Sequence, residues 1–286
     1  MTGYIYQAVP SFFAQDDPLA EPDDIGALPP RFGLLDDSPD HWSTFKQKIS
    51  QLNADAKDGA VYKVFYLGRH GQGLNNVAAE KYGMKRWNEH WAVLNGDGEL
   101  VWGPDPLLSD VGEQQARDVH AAWEVEISNG VPLPGKVYTS PLTRAMQTNA
   151  ITFEGLYSGS APTTVILENC REYYGKFSSD KRQTRARIHA NFPQFDFEEG
   201  FTEEDELWIP SERETEARVE VRARKVFDRV FDRDPETFIS ITAHAGVISA
   251  MMHVIGREGY YLPTGGDPND SMNLEASQIL KIPSEN

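Results

Sequence analysis

Cysteine is almost missing from this sequence: Cys170 stands alone among 286 residues. That excludes an internal disulfide framework and a four-cysteine zinc site. Basic residues are scarce beside acidic ones, 27 against 44, for a formal net charge of −17. Such a field repels polyanions, so neither nucleic acid nor an anionic membrane is expected as a partner. No apolar run approaches the ~20 residues needed to cross a bilayer. The opening MTGYIYQAVPSFFAQDDPLAEPDD lacks a basic stretch followed by an apolar one, so no secretory leader is expected and a cytoplasmic location is the default. Neither H-E-x-x-H nor G-x-S-x-G occurs, which leaves metallopeptidase and serine-hydrolase chemistry without support. No metal and no cofactor is expected.

What is present is an ordinary globular profile, 40% hydrophobic, 25% charged and 11% aromatic, in a chain long enough to bury ~75% of its unfolded surface. Residues 1–60, rich in Pro, Asp and Phe, read as a wrapping arm with one short helix at His41–Leu52. Tyr4, Tyr6, Phe12 and Phe13 are expected to pack on the core. VYKVFYL (61–67) is a buried strand, KVYTS (136–140), TVILEN (164–169) and TFISITA (237–243) are further strands, and Ile279–Ile282 is a last one. Helices are expected around Val77–Tyr82, at 110–127 with Asp110 as cap and a stripe of Val111, Val119, Ala122 and Trp123, at 143–153, at 214–231, and from His244 to a stop at Gly256. Strands alternating with amphipathic helices predict an α/β fold, a three-layer α/β/α sandwich around a mostly parallel sheet. It forms a single domain over 1–286, with the N-terminal arm and an inserted cap at about 153–215, where the alternation weakens.

Ligands of an open parallel sheet bind beyond the carboxyl ends of its strands. Arg69 and His70 follow one strand, Arg144 follows a second through Ser140-Pro141, and His244 follows a third. Together they make a compact cationic pocket in which arginine forks suit phosphate oxygens and a histidine can act as nucleophile or clamp. Gly71, Gln72 and Gly73 form a turn whose glycines let a backbone approach an anion and offer it N–H groups. Taken singly, each of these residues also has an ordinary structural reading; their convergence on three strand ends points to an anion site.

L-G-R-H-G at 67–71 with Asn76, S-P-L-T-R-A-x-Q-T at 140–148 and T-A-H-A-G at 242–246 resemble the histidine phosphatase (phosphoglycerate mutase-like) superfamily. WNEHWAVLNGDGELVWGPDPLLSDVGEQQA (87–116) and REYYGKFSSDKR (171–182) resemble a branch common in fungi and plants. The resemblance runs from about Val61 to Gly256. It implies His70 as the nucleophile that takes up the phosphoryl group, Arg69, Arg144 and His244 as the grip on its oxygens, Asn76 beside the pocket, and Glu172 as the acid that protonates the leaving oxygen. Asn75 stands where relatives of this branch often carry histidine.

Some choices stay open at this stage. Glu172 is either that acid or an ion-pair partner of Arg171 or Lys176, with Glu168 and Asp180 as neighbouring acids. The basic run 171–187, Arg182 included, either lines the pocket mouth and binds phosphate or is neutralised by the acidic tract from Asp196 to Glu206. The interleaved Tyr173, Tyr174, Phe177, Phe192, Phe195 and Trp208 either line an apolar pocket or form the cap's own core. The expected function is a metal-independent phosphatase that acts on a small phosphorylated metabolite, a monoester or diphosphate, through a phosphohistidine. The alternatives are mutase-type phosphoryl transfer and a non-catalytic phosphate sensor. Substrate identity and oligomeric state are not readable from the residues.

Overall fold

The computed structural model of the chain describes residues 4–17, 19–57, 59–257 and 274–282. Its elements, in chain order, are β1 (Gln7–Ala8), α1 (Pro22–Ile25), α2 (His41–Ala54), β2 (Val61–Arg69), α3 (Leu74–Tyr82), α4 (Met84–Glu89), α5 (Asp110–Ser128) and β3 (Lys136–Thr139). There follow α6 (Thr143–Phe153), β4 (Val165–Ile166), α7 (Arg185–Asn191), β5 (Asp196–Phe197), α8 (Glu216–Arg233), β6 (Phe238–Ala243), α9 (Ala245–Val254) and β7 (Leu274–Ile282). They form one sheet in the order β1-β7-β2-β6-β3-β4-β5. All pairs from β2 to β5 are parallel, whereas β7 runs antiparallel to β2 and to β1.

The alternation of β2 explains the layering. Val64 and Tyr66 point to one face, where Phe45 of α2 and Trp123 of α5 cover them. Phe65 and Leu67 point to the other, against Phe227 of α8 and Val247 of α9. A strand covered on both faces has to be apolar on both, which is why VYKVFYL carries almost no polar residue. Its exception, Lys63, is buried, yet its ammonium donates to the carbonyls of Asp234 (2.7 Å) and Glu236 (2.6 Å); burial pushes its pKa down.

The arm packs on both faces of the sheet. Tyr6 sits with Phe65 and Phe227 on one side, and Phe13, Phe32 and Trp42 lie with Tyr66 and Trp123 on the other. Glu126, buried on α5, accepts from the Trp42 indole (2.8 Å) and from the Arg31 amide (3.0 Å), tying the arm down.

Three local expectations are corrected. The cap of α5 is Ser109, whose hydroxyl accepts from the Gly112 amide (3.1 Å), and Asp110 occupies the first helical position instead. Val111 is exposed, because that first turn extends past the core; the buried stripe is Ala116, Val119 and Trp123. The strand expected over 164–169 shortens to Val165–Ile166, after which the chain turns over the strand ends. Within 153–215, β4 and β5 extend the sheet, while Glu172, Tyr173, Phe177, Asp180 and Arg213 wall a pocket.

Candidate active site

Sheet register assembles the site. In the parallel pair β2–β6, Arg69 lies opposite Ala243, so the next residue of each strand, His70 and His244, emerges side by side. Their ring centroids are 4.8 Å apart. On the other flank Thr139 of β3 pairs with Thr242. The next residue, Ser140, places its hydroxyl 2.7 Å from His244 Nε2. Arg144 arrives on the first turn of α6, whose start is anchored where Asp105 accepts from the Thr143 amide (2.8 Å) and hydroxyl (2.7 Å). Arg144 is almost wholly buried. Its Nε donates to His70 Nε2 (3.2 Å), Nη1 to the Ser179 carbonyl (2.8 Å), and Nη2 to Asp180 Oδ1 (3.1 Å). Three of the five N–H groups of this guanidinium are thus engaged, and two remain for a ligand.

The state of His70 follows from its partners. Nδ1 lies 2.6 Å from the Gly71 carbonyl, which can only accept, so Nδ1 carries the proton and Nε2 is the unprotonated nitrogen, its lone pair accepting from Arg144 Nε on the pocket wall. Burial, then the charges of Arg144 and Arg69, hold its pKa well below the ordinary imidazole range, against a smaller opposing pull from the Gly71 carbonyl. His70 is therefore held in its neutral form, with Nε2 the unprotonated nitrogen. His244 is pushed down as well, by burial first and then by Arg144 and His70, and its Nδ1 is a buried polar atom with no hydrogen-bond partner among the described residues.

Beyond the histidines opens a cavity of about 450 Å³. Arg69, His70 and Arg144 line it together with Glu172, whose Oε1 accepts from the Tyr173 amide (2.9 Å) and Oε2 from the Gly246 amide (3.2 Å). Met84 and Trp87 of α4, with Tyr173 and Phe177, give an apolar wall, and Asn75, Asn76 and Asn88 add neutral amides. Arg213 closes the outer side.

The other expected site residues fall in different places. Asn76 borders the cavity, and its Oδ1 accepts from the Gly73 amide (2.9 Å). The amides of Gly71 and Gln72 are taken as well, by Thr148 Oγ1 (3.0 Å) and Gln115 Oε1 (2.8 Å). The turn 71–73 therefore offers no open nest for an anion. Its glycine serves close packing instead, since a Cβ on Gly71 would lie 2.4 Å from the Gly112 carbonyl oxygen.

Arg182 does not border the cavity. It is buried, with Nε on Glu168 (2.8 Å) and its other N–H groups on the carbonyls of Gln183, Thr202 and Glu204. Arg171 forms two bonds to Asp205 (2.8 and 2.7 Å). Arg171 and Arg182 are thus paired with acids, and the basic residues of the run 171–187 do not border the cavity. Tyr173 and Phe177 face the cavity, whereas Phe192 and Phe195 pack with Ile166 and Ile188 in a small core.

Three residues of the site were not anticipated in their present roles: Ser140, Asp180 and Arg213. Arg213 lies in S-E-R-E-T, an acidic stretch without a fold signal. A separate group of possible metal ligands among the described residues, Glu216, Glu220 and His253, lies on α8 and α9 and borders no part of this cavity.

A neutral imidazole with its lone pair in a cavity, flanked by two guanidinium groups and a carboxylate, can take up a phosphoryl group and stabilise the charge on its oxygens. The chain is similar to several known proteins. It is 36% identical over 274 residues to a "Probable phosphoglycerate mutase" of Arthroderma benhamiae, spanning 91% of this chain and 82% of the relative. It is 35% identical over 265 residues to "Phosphomutase-like protein 3" of Candida albicans, spanning 91% and 78%. A solved Escherichia coli structure, described as a putative alpha-ribazole-5'-P phosphatase, is similar at 18% identity and a TM-score of 0.43 over 71% of this chain and 87% of that one. Residues 65–261 match the model of the histidine phosphatase superfamily, branch 1, and the chain belongs to that family.

Proposed function

We propose that this protein is a phosphatase that hydrolyses a small phosphomonoester through a phosphohistidine at His70. The observation that carries the reading is the orientation of that ring: Nδ1–H on the Gly71 carbonyl, Nε2 toward the cavity and the Arg144 guanidinium. Nε2 attacks phosphorus, the ester P–O bond breaks, and the leaving alkoxide takes a proton from Glu172. Water then attacks the phosphohistidine, gives its proton back to Glu172, and releases inorganic phosphate and neutral His70. Arg69 and Arg144 hold the phosphoryl oxygens through both steps, the kind of fixed donor set that dominates phosphoryl transfer. Two guanidinium groups beside the nucleophile repel a divalent cation, so the reaction is expected to run without one.

The printed names of the relatives favour a second reading, phosphoryl transfer between hydroxyls of a sugar acid. That substrate carries a carboxylate beside its phosphoryl group. The outermost cation of this cavity, Arg213, is already paired with Asp180 at 3.0 Å, which supports hydrolysis of a less charged ester.

The test is phosphate release from an aryl phosphate, with chelator present, by the wild type and by His70→Ala. Chelator-resistant turnover that the substitution abolishes is expected. Turnover that survives in His70→Ala would refute the assignment of the nucleophile, and a folded wild type inert on the aryl ester but active in exchange on phosphoglycerates would establish the mutase instead.

A further inference from the structure

Asp180 is a buried carboxylate inside a cavity that has to admit a dianion. Both of its oxygens are engaged by cations from different parts of the chain: Oδ1 by Arg144 Nη2 at 3.1 Å and Oδ2 by Arg213 Nη1 at 3.0 Å. Arg144 is on the cavity floor, with its side chain 1% exposed, and Arg213 stands at the rim, 32% exposed. The Arg213 guanidinium carbon lies over aromatic rings, 4.0 Å from the centre of Phe177 and 5.5 Å from that of Tyr173. A second anion that sought Arg213 would have to displace Asp180 Oδ2, leaving that buried carboxylate with Arg144 as its remaining cation and facing the new charge, which is costly.

The charges give the consequence. When substrate enters, with Glu172 holding the proton it is to donate, the charged groups that line the cavity are Arg69, Arg144 and Arg213 against Asp180, with His70 neutral. One phosphoryl dianion cancels this positive excess. A second anionic group on the same ligand then meets Asp180 with no cation left to offset it. Around that point the wall is apolar or neutral: Met84, Trp87, Phe177 and Asn88.

We propose that Asp180 is a specificity-determining residue that closes the cavity to esters with a second phosphate or a carboxylate, and that the substrates are monoesters of uncharged, apolar or aromatic alcohols. The proposal rests on the phosphatase reading of His70 and adds to it which leaving groups the site accepts.

The experiment compares kcat/KM for phenyl phosphate and for the same ester with a carboxylate on the ring. Wild type is expected to prefer the uncharged ester by about tenfold or more, the effect of one uncompensated charge at close range in a partly wet site. Asp180→Asn keeps the shape and removes the charge; it is expected to reduce that preference at least ~tenfold, chiefly through KM of the carboxylated ester. Arg213→Gln removes the opposite charge and is expected to sharpen the preference. Loss of both esters in equal proportion in Asp180→Asn would mean that the residue merely orients Arg144, and would overturn the proposal, as would a shift in the same direction in both variants. If the wild type turns over neither ester, the hydrolytic reading fails separately. Calorimetric binding of the two esters then decides the charge preference, and equal discrimination by wild type and Asp180→Asn overturns it.

Discussion

Asp105 offers a quantitative test of how the site is supported. Its carboxylate is buried behind the first turn of α6 and accepts from both the amide and the hydroxyl of Thr143, the residue before Arg144. Burial pushes its pKa up from 3.8 to about 6, despite opposing pulls from Thr143 and the Arg144 charge. A carboxyl whose folded value lies above its unfolded one binds more protons in the folded chain between the two values. Its contribution to stability is therefore most favourable at low pH and falls as pH rises from about 4 to about 6. At about 1.4 kcal/mol per pH unit the whole effect is about 3 kcal/mol. About 1.5 kcal/mol of it falls between pH 5 and 7.5, a window above the isoelectric point of about 4.8. Asn is the appropriate replacement: it keeps an acceptor for the Thr143 amide and tolerates the left-handed backbone here, φ 52°. Urea unfolding of wild type and Asp105→Asn at the two pH values is the assay. The variant is expected to gain about 1.5 kcal/mol on the wild type between pH 5 and 7.5, or ~2 °C in Tm for a chain of this size. An offset between the two proteins that is the same at both pH values would refute the reasoning, since it would show that Asp105 does not change protonation across that range.

Two further outcomes follow from the site. Arg182→Met is expected to cost about 3–5 kcal/mol, or ~5–8 °C in Tm, because it leaves buried acceptors without their donor; KM for an aryl phosphate should change less than ~twofold. A raised KM with an unchanged melting temperature would place Arg182 in the pocket after all. The acid limb of kcat/KM, normalised for ionisation of the substrate, is expected below pH 6.5, because burial and the two arginines keep His70 neutral under more acidic conditions than a free imidazole. A break at or above 6.5 would contradict that environment.

The parts of the site legible in the sequence are those that the sheet itself places. Arg69, His70 and His244 each follow a run of β-branched and aromatic residues, and the rule that parallel sheets bind at their carboxyl ends brings such residues together. Arg144 sits on the first turn of a helix that begins just after such a strand. The glycine turn was legible as a turn, but its purpose was not: only the packing of Gly71 on Gly112 shows that this glycine serves the approach of α5. The segment that follows β4 was the least legible. There the choice between Arg182 and Arg213 as the cation of the pocket depends on which carbonyls and carboxylates each one meets. Those contacts come from loops without periodicity, and a run of alternating charges reads the same whether its members face each other or a ligand. Ser109 and Asp110 differ by one position in the same way, since either side chain can cap a helix.

The pairing of Arg69 with Ala243 has a bearing on how the protein becomes active during folding. His70 and His244 are separated by more than half the chain, and only the hydrogen-bonded ladder between β2 and β6 brings them level. Contacts of such long sequence separation form against a high loop-closure entropy and are slow. A chain emerging from synthesis holds His70, Arg144 and Glu172 before the strand that delivers His244 exists. Catalytic competence should therefore arise late and all at once, with insertion of β6 into the centre of the sheet, which leaves little opportunity for a half-folded chain to turn over phosphate esters.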